Sequence, residues 1–240
     1  MVLHRPEELT SFRNLPSWAL LAFAAGGVNA GALLACQRFV SHVTGTVTRI
    51  GVDGLDILAL DYALVLAAFI GGAASAILLA RKLGDAARPA YWVPLTIVAA
   101  VLASVAVAGR VGWLGAFGGT VETGRDFVLL AILGFAMGMQ NAAVAASTAM
   151  AVRTTHMTGP ATDLGVALAM FVTGNNSERA AARSSALLQG TKLFAFVVGG
   201  AAMAALCPRF GHAAFLLPSI ACLAATVSSF APRRLDAATA

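Results

Sequence analysis

The 240 residues are 59% apolar and only 11% charged, with a mean hydropathy of +0.82. A soluble fold of this length needs a charged shell, and 16 basic with 11 acidic side chains are too few to build one, so the composition excludes a soluble globular domain and points to the lipid bilayer as solvent. The net charge of +5 comes from basic residues scattered in ones and twos between apolar runs, as at Arg81-Lys82 and Arg233-Arg234, which is the pattern of loops flanking membrane helices and not of a nucleic-acid-binding face.

Residues 1–16 are polar and mixed in charge and read as an N-terminal cytoplasmic segment. A spanning helix needs about 20 mostly apolar residues. The first such run, 17–37, imitates a short secretory signal with its small Ala-Ala-Gly-Gly, but apolar character continues to about Val40 and further runs follow, so it reads as a retained helix. Five more runs qualify, at 62–81, 91–109, 127–147, 187–207 and 212–231. Two moderately apolar segments, 41–58 and 155–174, lie between them. The segment Gly174 to Arg179 reads as a hydrophilic loop, and Cys36, Cys207 and Cys222, in apolar surroundings without metal-type spacing, as helix-packing residues.

The two intermediate segments open with the same words: Ser41-His42-Val43-Thr44-Gly45 resembles Thr155-His156-Met157-Thr158-Gly159. The likeness reaches back into the preceding helices, where Ala25-Gly26-Gly27-Val28-Asn29-Ala30 matches Met137-Gly138-Met139-Gln140-Asn141-Ala142. Asn29 and Asn141 lie 112 residues apart and His42 and His156 lie 114 apart, a nearly constant offset that indicates an internal duplication. The expected fold is all-α: a polytopic transmembrane helical bundle of two homologous halves, 17–110 and 127–231, joined by a loop at 111–126 and ending in a tail at 232–240.

If the motif segments are discontinuous or re-entrant, each half has three spans and the halves are inverted; if they cross, the arrangement is four plus four and parallel. With six spans, Arg5, Arg13, Arg81, Lys82, Arg88, Arg153, Arg179, Arg183, Arg233 and Arg234 share the side of the N-terminus. Only Arg38, Arg49, Arg110, Arg125 and Arg209 lie opposite, so the positive-inside rule favours six.

Each motif reads as a helix start, with Thr44 or Thr158 near the cap, Gly45 or Gly159 next, and Pro160 in a first turn where its missing N–H costs nothing. A helix that starts inside the membrane leaves N–H groups that need protein or a watery cavity, and such half-helix ends are solute sites in transporters. His42 and His156 suit proton exchange, with an ordinary pKa of about 6.5, or a hydrogen bond to a solute. Arg49 and Asp163 stand at the same repeat position with opposite charge, and an ion pair between them would relieve the cost of burying each. Asn29, Gln140 and Asn141 seek partners inside otherwise apolar helices, and Gly27 with Gly31 and Gly134 with Gly138 have the spacing of close helix packing.

P-loop, G-x-G-x-x-G, H-E-x-x-H and G-x-S-x-G motifs are absent, which argues against an ATP-driven pump, a metalloprotease or a serine hydrolase, and no cofactor or metal is expected. The stretches Phe39 to Gly45, Gly134 to Ala142 and Arg153 to Gly159 resemble the YoaK-like family of bacterial membrane proteins over about residues 15–231. Many members carry Asn after the first Thr-Gly, where this chain has Thr46. The resemblance implies a multi-pass protein of the bacterial inner membrane in a family largely of unknown function. The expected activity is that of a small secondary transporter or permease for a small, anionic solute, proton-coupled through a histidine. A non-transporting scaffold or subunit, and a membrane-embedded enzyme using one of the histidines as a base, stay open. The expected partners are the lipid bilayer and a small molecule or ion, with a homo-oligomer left open and nucleic acid not expected.

Overall fold

A computed structural model describes residues 3–5, 8–11, 14–53, 57–84, 89–119, 121 and 123–230. Arg13, Arg88, Arg233 and Arg234, which entered the charge asymmetry, lie outside the described residues, as does the tail 232–240. Among the described residues the regular elements are all helical: α1 (Leu15–Cys36), α2 (Val43–Asp53), α3 (Ile57–Leu83), α4 (Trp92–Arg110), α5 (Gly124–Ser147), α6 (Thr158–Thr173), α7 (Asn176–Phe210) and α8 (Leu216–Ala225). A 3-10 turn (Gly211–Phe215) joins α7 to α8, and a π turn (Thr226–Phe230) follows. Five stretches are long and apolar enough to cross a membrane: α1, Leu60–Leu83 of α3, α4, α5, and the run Asn176–Phe230. The chain is a polytopic helical membrane protein.

The 55 residues from Asn176 to Phe230 would reach about 80 Å if straight, far more than a bilayer core of about 30 Å. Gly211, at φ 53° and ψ −133°, ends α7 and turns the chain back. Contacts fix the direction of each helix. Gly26 lies against the Phe196 backbone and Ala30 against Gly200, so α1 and α7 run the same way. Gly134 meets Val65 and Ala68, and Gly138 meets Phe69, so α3 and α5 are likewise parallel to each other. Along α8, Phe215 meets Gly31 and the hydroxyls of Ser228 and Ser229 lie 2.8 and 2.6 Å from Ser17 Oγ, so α8 runs against α1. It also runs against α4, since Ser219 Oγ donates to the Ala99 carbonyl at 2.7 Å and Cys222 Sγ to Leu95 at 3.4 Å. Gln140 Nε2 donates to the Leu21 carbonyl at 2.9 Å while Gly118, ahead of α5, donates to Ala35 at the far end of α1, so α5 opposes α1. Helices α1, α4 and α7 therefore point one way and α3, α5 and α8 the other: along the chain the six long elements alternate in direction.

The interior is built from small side chains, among them the fully buried Ala24, Ala25, Ala32, Ala76, Ala80 and Ala143. Lipid supplies no hydrophobic drive between helices, so close backbone approach through small residues holds such bundles together. The nearest approaches are two crossings of one design. Gly26 and Gly199 sit on the backbones of Phe196 and Phe23, and Gly72 and Gly138 sit on those of Phe135 and Phe69. Large apolar side chains such as Ile70, Leu78, Phe194 and Val197 point outward, as a lipid-facing surface requires.

One reading is corrected here. Residues Asn176 to Arg179 are not a loop but the first turn of α7: Asn175 caps the helix, accepting from the Glu178 amide at 3.0 Å, and Glu178 Oε2 accepts from the Asn175 amide at 2.7 Å. The spacing is that of a capping box.

Ahead of α1, the Leu3 and His4 amides donate to the Ser147 carbonyl at 2.9 and 3.0 Å, and the His4 ring stands edge-on to Trp18 and Phe230, with centroids 5.0 Å away in each case. Burial pushes the His4 imidazole down from 6.5 to about 4, against a smaller opposing pull from Glu8. A histidine depressed in the docked state contributes its docking stability above its ordinary pKa and loses it as the pH falls toward the lowered value. The N-terminal segment is therefore expected to stay docked at pH 7 and to release between about pH 6.5 and about 4, with His4→Phe abolishing the transition. Trp18 fluorescence during an acid titration reads it.

Candidate functional site

The site begins with a chain reversal. α1 ends at Cys36 and Gln37 takes a left-handed conformation, φ 55°. The strand of chain that follows then runs back along the helix that produced it. Asn29 Oδ1 accepts from the Val40 amide, the Ser41 amide and Ser41 Oγ, each at 3.1 Å. Asn29 lies seven residues before the end of α1, so the chain has re-entered by about 10 Å before α2 begins. The second half repeats the manoeuvre. α5 ends at Ser147, and Gln140, again seven residues back, donates from Nε2 to Thr154 Oγ1 at 3.1 Å, ahead of the start of α6. Because α1 and α5 point in opposite directions, the two hairpins enter the bundle from opposite ends. Asn29→Leu strands three donors at once, each costing about 1–3 kcal/mol when buried. It is expected to lower the Tm sharply in detergent, while Asn29→Asp, which keeps the acceptor, holds it near the original value.

Their tips meet. A cavity of about 310 Å³ is lined by Ser41, His42, Val43 and Thr44 of the first motif and by Thr155, His156, Met157 and Thr158 of the second, with Asn29, Phe39 and Phe196 completing the wall. Both histidines are exposed there. The imidazole explains the first of the motif glycines: a Cβ on Gly45 would overlap the His42 ring, whereas one on Gly159 would stand 3.6 Å from the His156 Cδ2, in ordinary contact. The first helical bonds are Thr46 N to His42 O and Ala161 N to Met157 O, both 3.0 Å. Ahead of them the amides of Val43, Thr44 and Gly45, and of Thr158 and Gly159, are left without an intrahelical acceptor.

The capping role expected of Thr44 and Thr158 is not what is found. Thr158 is already inside α6, whose N-cap is Met157 and carries no side-chain bond, and neither threonine hydroxyl closes its helix end. Both threonines face the cavity instead, beside amides that carry the positive end of a helix dipole. Thr46, at the position where relatives of the resemblance have Asn, turns its hydroxyl back to the His42 carbonyl at 3.1 Å and is buried.

The remaining candidates lie off the cavity wall. Gln140 is fully buried behind the second hairpin with its Oε1 unpartnered, and the Asn141 Oδ1 is also buried without a partner. The Arg49–Asp163 ion pair does not form. Arg49 pairs with Asp53 along its own helix at 3.5 Å, and Asp163 accepts from Gln189 Nε2 at 3.4 Å. The charged lock of the first half is one that sequence reasoning missed: Arg38 Nε donates to the buried Asp61 at 2.6 Å, and its guanidinium lies 4.9 Å from the Tyr62 ring centroid. Also missed were Phe196, whose backbone Gly26 touches and which walls the cavity, and Lys192, buried one turn before it. Nothing local in the sequence marks Phe196, but a lysine inside an apolar run of 20 residues is a signal in itself. Among the described residues no group of three or more His, Cys, Asp or Glu gathers where a metal would sit.

A family model described as a protein of unknown function, DUF1275, matches residues 18–228, which takes in every helix and both hairpins. The chain belongs to that family. No curated protein and no solved structure matches it. The DUF1275 match starts at Trp18 and ends at Ser228, so the docked His4 segment falls outside it and the cavity falls wholly inside. The family carries no assigned function, as the YoaK-like resemblance implied.

Proposed function

We propose that this DUF1275 protein is a secondary permease for a small anionic solute, working in a bacterial inner membrane through two inverted halves. One observation carries the reading. Two re-entrant segments of related sequence enter from opposite ends and bring uncapped helix N-termini, each with a histidine and a threonine, to a single cavity. The alternating directions of the six long helices support three spans in each half, because an odd number inverts the second half relative to the first. Free amides at two helix starts attract negative charge and repel cations. The volume, about ten times the roughly 30 Å³ of a water in the liquid, suits a solute of a few carbon atoms.

In proteoliposomes, uptake of radiolabelled lactate, succinate or inorganic phosphate is expected for at least one anion and for no cation of similar size. His42→Ala with His156→Ala is expected to reduce that uptake by ten-fold or more, on the order of the 1.4 kcal/mol of one lost polar contact. Gly45→Ala is expected to damage it more than Gly159→Ala, because only Gly45 has an imidazole in the space of the new methyl group. Absence of any flux, with a partner protein copurifying at fixed stoichiometry, would replace the permease by a membrane scaffold.

A further inference from the structure

Lys192 is among the largest fully buried side chains of the protein, on a helix that runs through the bilayer. It has no hydrogen-bond or ion-pair partner within contact distance among the described residues. A lysine only 2% exposed on a membrane helix, with no ion-pair partner in contact, is costly, and membrane proteins retain one where it works. On the same face of α7, three residues earlier, Gln189 is buried with its Oε1 unpartnered, while its Nε2 reaches across to Asp163 Oδ2 on α6 at 3.4 Å. Asp163 is the acidic residue of α6, the helix packed on this part of α7, and unlike Lys192 it is exposed. Among the described residues of the elements packed on α7 there is no other opposite charge. Among the elements packed on α7, α1 contributes only the Cys36 thiol, α6 only Asp163, and the 3-10 turn only His212. Glu178, Arg179 and Arg183 of α7 itself lie two turns or more toward its N-terminus.

Position links this group to the cavity twice over. Lys192 is four residues before Phe196 of the cavity wall, about 6 Å along α7. Asp163 is five residues after Thr158 of the same wall, about 7.5 Å along α6. Helix α6 rests chiefly on α7 and on little else. A solute drawn to the start of α6 pulls on the same rigid helix that carries Asp163.

We infer that Lys192 and Asp163 form the site where a coupling proton is taken up and released as α6 moves; the inference rests on the permease reading above. With the Asp163 carboxylate held on the facing helix through Gln189, Lys192 keeps its proton as an ammonium. When α6 carries the carboxylate away, one Nζ–H bond breaks, its electron pair stays on nitrogen, and the proton leaves to water along the exposed side of Asp163. The neutral amine takes a proton back when the carboxylate returns. Charge then crosses in step with the anion, and the histidines bind solute without carrying the proton.

Proteoliposomes loaded with pyranine and given inward gradients of lactate, succinate or inorganic phosphate test this. The unsubstituted protein is expected to acidify the interior with whichever anion it accepts. Lys192→Met, Lys192→Arg and Asp163→Asn are expected to exchange that radiolabelled anion within about three-fold of the original rate, with the acidification lost. Lys192→Arg keeps the positive charge and cannot give up its proton, so it separates titration from a structural need for charge, and the retained exchange shows that the variants fold. Acidification that survives Lys192→Arg, or that disappears with His42→Ala alone, overturns the inference and leaves the permease standing. An unsubstituted protein that moves none of the three anions overturns both.

Discussion

Gly26→Leu and Gly138→Leu are each expected to abolish the folded protein, while Gly71→Ala and Gly190→Ala leave it intact or slightly more stable. A Cβ at Gly26 would fall on the carbonyl, carbon and Cα of Phe196, and one at Gly138 on those of Phe69. These are backbone atoms inside helices, so no rotamer change makes room, and the helices must separate along their whole crossing. Overpacking of a core costs about 1–3 kcal/mol when side chains can yield. Here they cannot, and packing of this kind is the main force between helices in lipid. Gly71 and Gly190 have nothing within 4 Å of a built Cβ, so alanine there only removes backbone freedom from the unfolded chain, worth about 0.5–1 kcal/mol. Monodispersity on size exclusion and the Tm in detergent distinguish the two groups. The pairing also sets a rule of additivity. Gly26→Ala and Gly199→Ala act on one crossing and are expected to combine less than additively, whereas Gly26→Ala and Gly138→Ala act on separate crossings and are expected to add.

Those crossings show where sequence reading reached and where it stopped. Phe-x-x-Gly occurs five times: at Phe23 to Gly26, Phe69 to Gly72, Phe135 to Gly138 and Phe196 to Gly199 a Cβ on the glycine would fall on the backbone of a neighbouring helix, whereas the copy at Phe171 to Gly174 ends α6 and makes no crossing. The glycines of the copies at Phe23 to Gly26 and Phe135 to Gly138 fall in the similar stretches 25–30 and 137–142. Of the glycine spacings noticed in the sequence, Gly134 with Gly138 lies on the α3–α5 crossing, against the Val65 and Phe69 backbones, while Gly27 with Gly31 packs on the flexible Met203 and the Phe215 ring. The decisive partner of α1 is α7, 170 residues away at the Phe23 and Gly26 crossing with Phe196 and Gly199, and no local pattern announces it. The apolar runs located the six long helices because a bilayer imposes a length on them. The start of α7 escaped because residues 176–186, which open the helix, mix Asn, Ser, Glu and Arg with alanines and carry no apolar run, although Asn175 and Glu178 spell a capping box in plain view.

The failed Arg49–Asp163 pair has a geometric cause. Each residue lies seven positions after the histidine of its motif. The likeness of the two motif segments suggested that these positions are equivalent, and equivalence suggested proximity. But α2 and α6 both start at the cavity and return toward the ends from which their hairpins entered, so residues farther along each helix diverge. Equivalent residues meet only near the axis, as His42 and His156 do across the cavity. Arg49 closes on Asp53 within α2, and Asp163 turns to Gln189 on α7.

Asp61→Leu and Arg38→Met, made singly, are expected to destabilise the protein by about 3–5 kcal/mol each, because each leaves a desolvated charge without its counter-ion. The Asp61 side chain is 4% exposed and that of Arg38 18%, so Arg38→Met, which strands the more deeply buried carboxylate, is expected to be the worse of the two. The double variant Asp61→Leu with Arg38→Met is expected to recover most of the loss, since a buried ion pair replaced by apolar groups of like volume is often neutral. A double-mutant cycle on chemical or thermal unfolding in detergent measures the coupling, and two single costs below about 1 kcal/mol would mean that the pair behaves as an exposed one. Function adds a separate readout. Arg38 follows α1 directly and opens the first re-entrant hairpin, while Asp61 is on α3, so this pair clamps one side of the cavity to a long helix. The second hairpin has no such clamp and leans on the looser Asp163–Gln189 bond. If the two hairpins share the work of gating unequally, as this difference implies, the recovered double variant folds but loosens the fixed side, and its anion uptake falls although its Tm does not.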